Sequence, residues 1–329
     1  MRLTQRGRGC NEGFGCRLQE RYSGEARGYR RRSGGSRAVI RAICGPNGAP
    51  TFESSVSGIA IYLDNFAIKS LAKGEPALRR RFVDALKGGA DLLFSGANAV
   101  ELSGSQGSSS TIMKEFLDEM GPHWYPVDIL LDNVMKREAA GEVPGKCCLD
   151  EELLRAYFAN RTSDQTPGSG KVIDLSERFF RLGAFVDWLA PQRSWFLSRS
   201  REFDEAIKEK IGLLRARLKG DPGWLDRVLP QPQFNPQIAA NFAYRCLIRA
   251  LVCDAGFQVR KGDGIDFHHA VIASAFASFA ALDKQWKRRI ENLPKPNRVS
   301  RVYYEPELGA MVTDIELGLV QLKALRWST

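Results

Sequence analysis

The sequence lacks a long uninterrupted apolar run. Its longest apolar stretch, residues 270–282, is broken by Ser274 and Ser278. A membrane-spanning helix needs about 20 predominantly apolar residues. The N-terminal segment also lacks the apolar core that a secretory signal requires. We therefore expect a chain that does not enter a membrane.

The sequence also lacks a cysteine framework. It contains seven Cys and three His, and no two Cys have the C-x-x-C spacing. An odd number of Cys without paired spacing is typical of reduced thiols. We therefore expect a cytoplasmic protein. Because neither Cys nor His shows ligand spacing, the sequence argues against a zinc site.

Net positive charge is small outside the N-terminal segment. Residues 1–57 contain eleven Arg, no Lys and four Glu, so they carry +7 of the net charge of +10. The basic balance is therefore weak evidence that the folded body binds nucleic acid. We expect residues 1–57 to be a disordered arm or a non-native leader, for example from an over-extended start of translation. A basic arm that binds phosphate backbones is the alternative.

Short apolar runs alternate with helical patterns in two parts of the chain. Pro126 restricts the third of these runs to an edge strand or a strand end. Strands alternating with helices indicate a parallel sheet covered on both faces. The predicted strands are at residues 58–64, 91–95, 123–127, 279–282 and 302–304.

The middle of the chain shows helical patterns and no convincing strand, with candidate helices at residues 149–160, 173–190, 195–218 and 236–254. We interpret this part as an all-helical insertion in an α/β domain. Loop-like linkers rich in Pro, Gly and Gln interrupt it, as at residues 162–170 and 230–236. The predicted parts are the arm at 1–57, the first part of the α/β domain at 58–140, the insertion at 141–260, and the second part with a C-terminal helix at 261–329.

Four acidic residues stand where an open α/β sheet builds its site. Asp64 ends the first apolar run, Glu101 follows the second, Asp266 opens an Ala-rich helix and Asp283 follows that helix's apolar end. The carboxyl ends of parallel strands and the adjoining helix starts line the crevice of such a sheet. Carboxylates gathered there repel one another unless a hard divalent cation joins them. The sequence therefore predicts a phosphodiesterase that depends on Mg²⁺ or Mn²⁺.

Each of these residues also has a purely structural interpretation. Asp64 and Asp266 could cap the helices that follow them, although capping does not exclude metal binding. Asp283 could be an ordinary turn residue, and Glu101 could lie on a solvated helix face. Asp263, three residues before Asp266, is an alternative third ligand or a supporting partner.

The two His residues beside Asp266 favour packing over metal binding. His268 and His269 lie two and three residues after Asp266 in the helix. Mg²⁺ does not prefer imidazole, so direct ligation by either residue is not expected. His269 lies three residues after Asp266, and could instead orient that carboxylate or a phosphate.

The order and settings of the acids resemble the PIN domain, a fold of metal-dependent nucleases. Each motif alone is weak, but their order and the 17 residues between Asp266 and Asp283 make the set more specific. The resemblance covers about residues 58–139 and 262–305. The motifs are YLDN at 62–65, FS at 94–95 with AVELSG at 99–104, DGIDFHHAVIA at 263–273 and FAALDKQW at 279–286.

The resemblance implies a Rossmann-like α/β/α sandwich with a parallel sheet of about five strands. It also implies one or two Mg²⁺ or Mn²⁺ ions in the acidic crevice, an activated water, and a cut that leaves a 5′-phosphate. Two features depart from the family. This chain has Asp64-Asn65-Phe66 where many relatives carry Asp-Thr-Asn or Asp-Ser-Asn, and the long insertion is absent from the small members.

The function expected from these observations is hydrolysis of phosphodiester bonds, with RNA as the nucleic-acid partner. Asp64, Glu101, Asp266 and Asp283 would hold the metal. The first alternative is a non-catalytic PIN-like module that binds RNA or a protein through the insertion. The others are the toxin of a bacterial toxin–antitoxin pair, which would have an antitoxin partner, and a DNA-directed nuclease. PIN-like domains often pair, so a homodimer is also considered.

Basic residues and aromatics are concentrated in one helix of the insertion. Such a mixture can line a nucleic-acid path. Glu202, Asp204, Glu205 and Glu209 are interleaved with the basic residues, which favours a solvated helix with i,i+4 pairs. The set comprises Arg193, Trp195, Phe196, Arg199, Arg201, Lys208, Lys210, Arg215, Arg217 and Lys219.

Overall fold

The computed structural model describes residues 39–44, 50–55, 58–104, 108–161, 172–174, 181–221 and 223–327. Residues 1–38, to which most of the predicted arm belongs, lie outside the described residues. The linker predicted at 162–170 also lies outside them.

The strands of the described residues belong to two sheets. The larger sheet is parallel and has the order β5-β4-β3-β7-β8, whereas β2-β1-β6 form a small antiparallel sheet. The strands are β1 (Val39–Cys44), β2 (Pro50–Ser55), β3 (Ile59–Leu63), β4 (Ala90–Ser95), β5 (Trp124–Val127), β6 (Val172–Asp174), β7 (Phe279–Ala281) and β8 (Arg301–Tyr303).

The α-helices of the described residues occupy most of the remaining chain. Short 3₁₀ turns at Ala190–Gln192, Pro236–Ile238 and Glu305–Glu307 precede three of them. The helices are α1 (Asn65–Lys73), α2 (Pro76–Lys87), α3 (Gly96–Ser103), α4 (Ser108–Met120), α5 (Leu131–Ala139), α6 (Pro144–Cys147), α7 (Glu151–Arg161), α8 (Leu182–Leu189), α9 (Arg193–Gly220), α10 (Trp224–Val228), α11 (Ala239–Cys253), α12 (Asp263–Phe276), α13 (Lys284–Glu291) and α14 (Leu308–Trp327).

The five-stranded parallel sheet confirms the α/β class and the strand count predicted from the sequence. Every residue of β3, β4, β5 and β7 is buried. Because side chains alternate between the two faces of a strand, this burial means that both faces of the sheet are covered. Pro126 lies in β5, which is an edge strand, as the missing N–H of proline requires.

The strand order reverses between β3 and β7, and we call the carboxyl edge of the sheet at this reversal the crevice. From β3 the chain proceeds outward to β4 and β5, and later returns to the other side of β3 through β7 and β8. Ligands of open α/β sheets bind outside the carboxyl ends of the strands at such a reversal. Asp64 directly follows β3, and Asp283 follows β7 after one residue.

The small antiparallel sheet differs from the predictions that residues 1–57 are a disordered arm or leader and that the insertion is all-helical. Val39–Cys44 and Pro50–Ser55 pair with each other, so the folded chain begins before residue 58. Phe52 is buried, and its ring lies 6.4 Å from that of Phe158 in an edge-on contact. The sequence pattern of these strands is weak because Gly and Pro surround them.

The insertion is not all-helical, because it contributes β6 to the same small sheet. Val172–Asp174 pairs antiparallel with β1. The sequence predicted a helix over residues 173–190, whereas the described helix in this part is α8, Leu182–Leu189. A three-residue strand carries too little alternation to be distinguished from a helix by periodicity alone.

Candidate active site

Asp64 stands at the carboxyl end of β3, next to β7. Its backbone N donates a hydrogen bond to Ala281 O at 2.9 Å, which extends the pairing of the two strands. Its Oδ1 accepts a hydrogen bond from Asn65 N at 2.6 Å and so caps α1. Burial raises the pKa of Asp64 to about 7, and the charges of Glu101 and Asp283 add to this rise. Asp64 therefore both caps a helix and belongs to an acidic cluster.

Asp266 lies in the first turn of α12 and faces the same cluster. Burial raises its pKa to about 8, and the negative charges of Asp64, Asp283 and Glu101 raise it further. No described residue donates a hydrogen bond to its carboxylate. A half-buried carboxylate with several acidic neighbours and no donor is the arrangement that a cation relieves.

The carboxylates of Asp283 and Asp263 accept hydrogen bonds from different backbone N–H groups. Asp283 Oδ1 accepts a hydrogen bond from Trp286 N at 2.8 Å and caps α13, and Oδ2 accepts none from the described residues. Asp263 Oδ2 accepts from Arg260 N at 2.6 Å and shapes the turn before α12. Of the two candidates for the third ligand, Asp266 is the one whose carboxylate accepts no hydrogen bond from the described residues, whereas one oxygen of Asp263 is engaged.

Glu101 lies on α3 at the solvent side of the crevice and is exposed. Its Oε2 accepts a hydrogen bond from Asn65 Nδ2. Desolvation raises the pKa of Glu101, while the bond from Asn65 and the charge of Lys69 lower it. Asn65 thus links the first and second acidic motifs, because it follows Asp64 directly and holds the Glu101 carboxylate.

A neutral hydrogen-bonded layer lies beneath the carboxylates. Ser95 and Asn98 form a capping box at the start of α3, and Asn98 Oδ1 also accepts from the Tyr62 hydroxyl at 3.3 Å. The Tyr62 hydroxyl also hydrogen-bonds with His269 Nδ1. Burial raises the pKa of Tyr62 and lowers that of His269 to about 3, so both side chains are uncharged at neutral pH. The layer therefore supports the acids without neutralising them.

Neither His residue of α12 is placed as a metal ligand. His269 is 1% exposed, with Nδ1 bonded to Tyr62 and Nε2 buried without a hydrogen-bond partner. His268 Nδ1 hydrogen-bonds with Ile129 O at 2.8 Å, and its ring lies 4.4 Å from that of Phe203. Both have packing contacts, in agreement with the packing interpretation of the sequence.

Sequence reasoning missed Asp204, a residue of the insertion that supports the site. Asp204 is buried on α9, and its carboxylate accepts hydrogen bonds from Gly262 N at 3.0 Å and from Gly264 N at 2.8 Å. A methyl group on Gly264 would lie 2.4 Å from the backbone N of Asp204. Gly262 has a φ of 96°, in the left-handed region that favours Gly. The insertion therefore caps the helix that carries Asp266.

The Gly pair at 262 and 264 is the only sequence signal for this contact. Two Gly on either side of Asp263 indicate a close backbone approach, but they do not identify the partner. Asp204 lies about 60 residues earlier, among charged residues of an amphipathic helix. Its role is visible only once α9 is packed against α12.

We expect Asp204→Ala to destabilise the fold by about 2 kcal/mol, because it leaves two helix-terminal N–H groups without their acceptor. Urea unfolding monitored by circular dichroism measures this loss. Glu205→Ala is the matched control, since Glu205 is exposed and only pairs with Lys208 at 3.5 Å. The control is expected to change stability by less than about 0.5 kcal/mol. Equal losses in both variants would contradict the capping role.

The chemistry of the cluster fits a hard divalent cation. Its members are carboxylates, which are the ligands that Mg²⁺ and Mn²⁺ prefer. Burial first, and repulsion from neighbouring acids second, raise the pKa of Asp64 to about 7 and that of Asp266 to about 8, and a bound cation would favour their charged forms. In the conformation described, however, no three Asp, Glu, His or Cys side chains of the described residues are grouped closely enough to hold one ion.

Comparisons with known proteins give no further constraint. No family model, no curated protein and no solved structure matches the chain. None of the described helices is long and apolar enough to cross a membrane. Cys147, Cys148, Cys246 and Cys253 are free thiols. The functional conclusion therefore depends on the residues and geometry of the crevice.

Proposed function

We propose that this chain is a PIN-like nuclease that hydrolyses phosphodiester bonds in RNA with the help of Mg²⁺ or Mn²⁺. The observation that carries the proposal is the position of Asp64, Glu101, Asp266 and Asp283. They come from four separate segments, yet their charges act on one another at the carboxyl edge of the sheet. A parallel sheet of five strands is also what the PIN resemblance implies.

Asp64, Glu101, Asp266 and Asp283 would hold the ion. Main-chain donors fix Oδ1 of Asp64 and Oδ1 of Asp283, which leaves Oδ2 of each for the ion. When bound, the ion polarises the phosphate and lowers the pKa of the attacking water. Only Oδ2 of Asp263 accepts from Arg260 N, so Asp263 stays the alternative third ligand through Oδ1.

The protein's own contribution is to orient the acids and keep their surroundings neutral. Asn65 fixes one oxygen of Glu101. Tyr62 and His269 are uncharged, so neither provides a positive charge that could pair with the acids. Lys69, half-buried on α1, lowers the pKa of both Asp64 and Glu101. Its positive charge lies where it can also attract the phosphate backbone of a substrate.

Cleavage of labelled RNA and single-stranded DNA by the full chain tests the proposal. The assay is run with Mn²⁺, with Mg²⁺ and with EDTA. We expect RNA to be cut only when a divalent ion is present, leaving 5′-phosphate ends. Cutting that persists in EDTA, or that survives Asp64→Asn together with Asp266→Asn, would contradict the proposal.

A second candidate is a non-catalytic PIN-like module that binds RNA or a protein. It is favoured because, among the described residues, no three ligating side chains lie close enough together to hold one ion. In that case RNA binding would be independent of metal and unaffected by neutralising the acids. Binding measured in EDTA with and without the two Asp→Asn changes therefore separates the two candidates.

We expect Asn65→Ala to lower cleavage by about 10- to 100-fold, the usual cost of losing a residue that orients a metal ligand. Asn65 is 4% exposed, and its amide is the described donor to Glu101. The measurement is kcat for RNA cleavage together with the Mn²⁺ concentration for half-maximal rate. Asn133→Ala is the control, because Asn133 donates to Asp128 beyond β5. Unchanged metal dependence in Asn65→Ala would show that Glu101 does not need this bond.

A further inference from the structure

Helix α9 of the insertion lies along the carboxyl edge of the parallel sheet. A methyl group on Gly96, the first residue of α3, would lie 3.3 Å from the Phe196 ring. Eight residues later, Asp204 caps the start of α12. The start of α3 lies at this edge because α3 follows β4 directly. Helix α12 ends just before β7 begins, at the amino edge of the sheet, so its start lies at the carboxyl edge. The first turns of α9, about 12 Å of helix, therefore form a wall between the helices of Glu101 and Asp266.

The outer side of this wall carries an exposed aromatic ring. Trp195 is 57% exposed, and its ring packs edge-on against Phe196 with centroids 4.9 Å apart. The Arg199 guanidinium lies 5.8 Å from the Trp195 ring centroid. Trp195 is thus held by a neighbour that touches the start of α3, while much of its surface faces solvent.

The charge around Trp195 is positive. Residues 193–201 contain Arg193, Arg199 and Arg201 and no acidic residue. The Arg193 guanidinium lies against Gly104, just after the end of α3. Glu202 follows this stretch and pairs with Arg199 at 2.6 Å. A partner of this surface should therefore combine negative charge with flat apolar faces.

Given the proposed nuclease function, we propose that Trp195 and its neighbouring Arg residues form a stacking platform for single-stranded RNA that enters the acidic crevice. Unpaired bases have exposed faces that stack on aromatic side chains, and Arg attracts the phosphates. The faces of paired bases are stacked within a duplex, so the platform selects single strands. In this arrangement the platform selects single strands, whereas the carboxylates act on the phosphate.

Binding of a fluorescent 12-nucleotide single-stranded RNA tests this inference. The full chain carries Asp64→Asn, and anisotropy is measured in EDTA, so that neither cleavage nor metal contributes. Trp195→Ala is expected to weaken binding by about tenfold, since stacking contributes about 1–3 kcal/mol per base. Trp195→Phe is expected to retain most of the affinity. Leu213→Ala is the matched control, because Leu213 is 58% exposed on the distant half of the same helix.

A second readout uses the otherwise unchanged chain and bis(p-nitrophenyl) phosphate, a small phosphodiester that does not need the platform. Trp195→Ala is expected to hydrolyse it within twofold of the wild-type rate while losing about tenfold in kcat/KM for single-stranded RNA. The same RNA annealed to its complement is expected to bind weakly and to be insensitive to the change.

The outcomes separate the platform from the nuclease proposal. If wild-type protein cuts RNA but Trp195→Ala binds and cuts like the parent, the platform is wrong and the nuclease stands. If RNA binds through Trp195 but is never cut with Mn²⁺, the platform stands without catalysis. Equal losses in Trp195→Ala and Leu213→Ala would also overturn the platform.

Discussion

Asp64→Asn is expected to lower metal-dependent RNA cleavage by about 10³-fold, because divalent-ion catalysis is worth several kcal/mol and each 1.36 kcal/mol is tenfold in rate. The change is nearly isosteric. Asn retains an oxygen that can accept from Asn65 N, so the cap of α1 is preserved and only the negative charge is lost. Single-turnover cleavage of labelled RNA with saturating Mn²⁺ measures the effect.

Asp84→Asn is the matched control for this experiment. Asp84 is exposed in the last turn of α2, just before β4 begins and therefore at the opposite edge of the sheet. The control is expected to cut RNA at the wild-type rate. Full activity in Asp64→Asn would show that the crevice between β3 and β7 is not the place of catalysis.

Without metal, Asp266→Asn is expected to stabilise the protein at pH 8.5 by on the order of 2 kcal/mol, since one pKa unit corresponds to 1.36 kcal/mol. Folding raises the pKa of Asp266 from 3.8 to about 8 and that of Asp64 to about 7. The folded state therefore binds more protons than the unfolded chain between these values. The stability of the metal-free wild type should fall as pH rises from about 4 to about 8.

Thermal unfolding at pH 5 and pH 8.5, with and without Mg²⁺, tests this expectation. At pH 5 Asp266 is protonated when folded but mostly ionised when unfolded, so the variant should exceed the wild type in unfolding temperature by less than at pH 8.5. At pH 8.5 in EDTA the variant should unfold at a higher temperature than the wild type. Mg²⁺ should raise the unfolding temperature of the wild type more than that of the variant. A less stable variant at pH 8.5 would mean that the carboxylate is stabilised by contacts that the structure does not contain.

The core of the fold could be predicted from the sequence because its strands are buried on both faces. Such strands are continuous apolar runs, as in residues 59–63, and they contrast with the helices between them. An acid that ends such a run is conspicuous, which is why Asp64 and Asp283 could be placed at the edge of the sheet. The contact of Glu101 with Asn65 could not be predicted, since it depends on how α3 packs beside α1.

The insertion was the least predictable part for a physical reason. Asp204 is one acidic residue among many on a charged helix, and nothing local distinguishes a cap from a solvated side chain. The small sheet joins Val39–Cys44 to Val172–Asp174, which lie more than 120 residues apart and have short, irregular patterns. The structure shows that the insertion supports the helix of Asp266, whereas the sequence predicted only an all-helical insertion.

The most direct measurement of the metal site is calorimetric titration of the full chain with Mn²⁺ at pH 7.5, beside the Asp64→Asn/Asp266→Asn double variant. We expect the wild type to bind one or two ions and to release protons, because Asp64 and Asp266 are partly protonated near neutral pH. The double variant should lose this binding, while Asp84→Asn should retain it. Absence of Mn²⁺ binding by the folded wild type, or equal binding by the double variant, would contradict a metal site formed by these carboxylates.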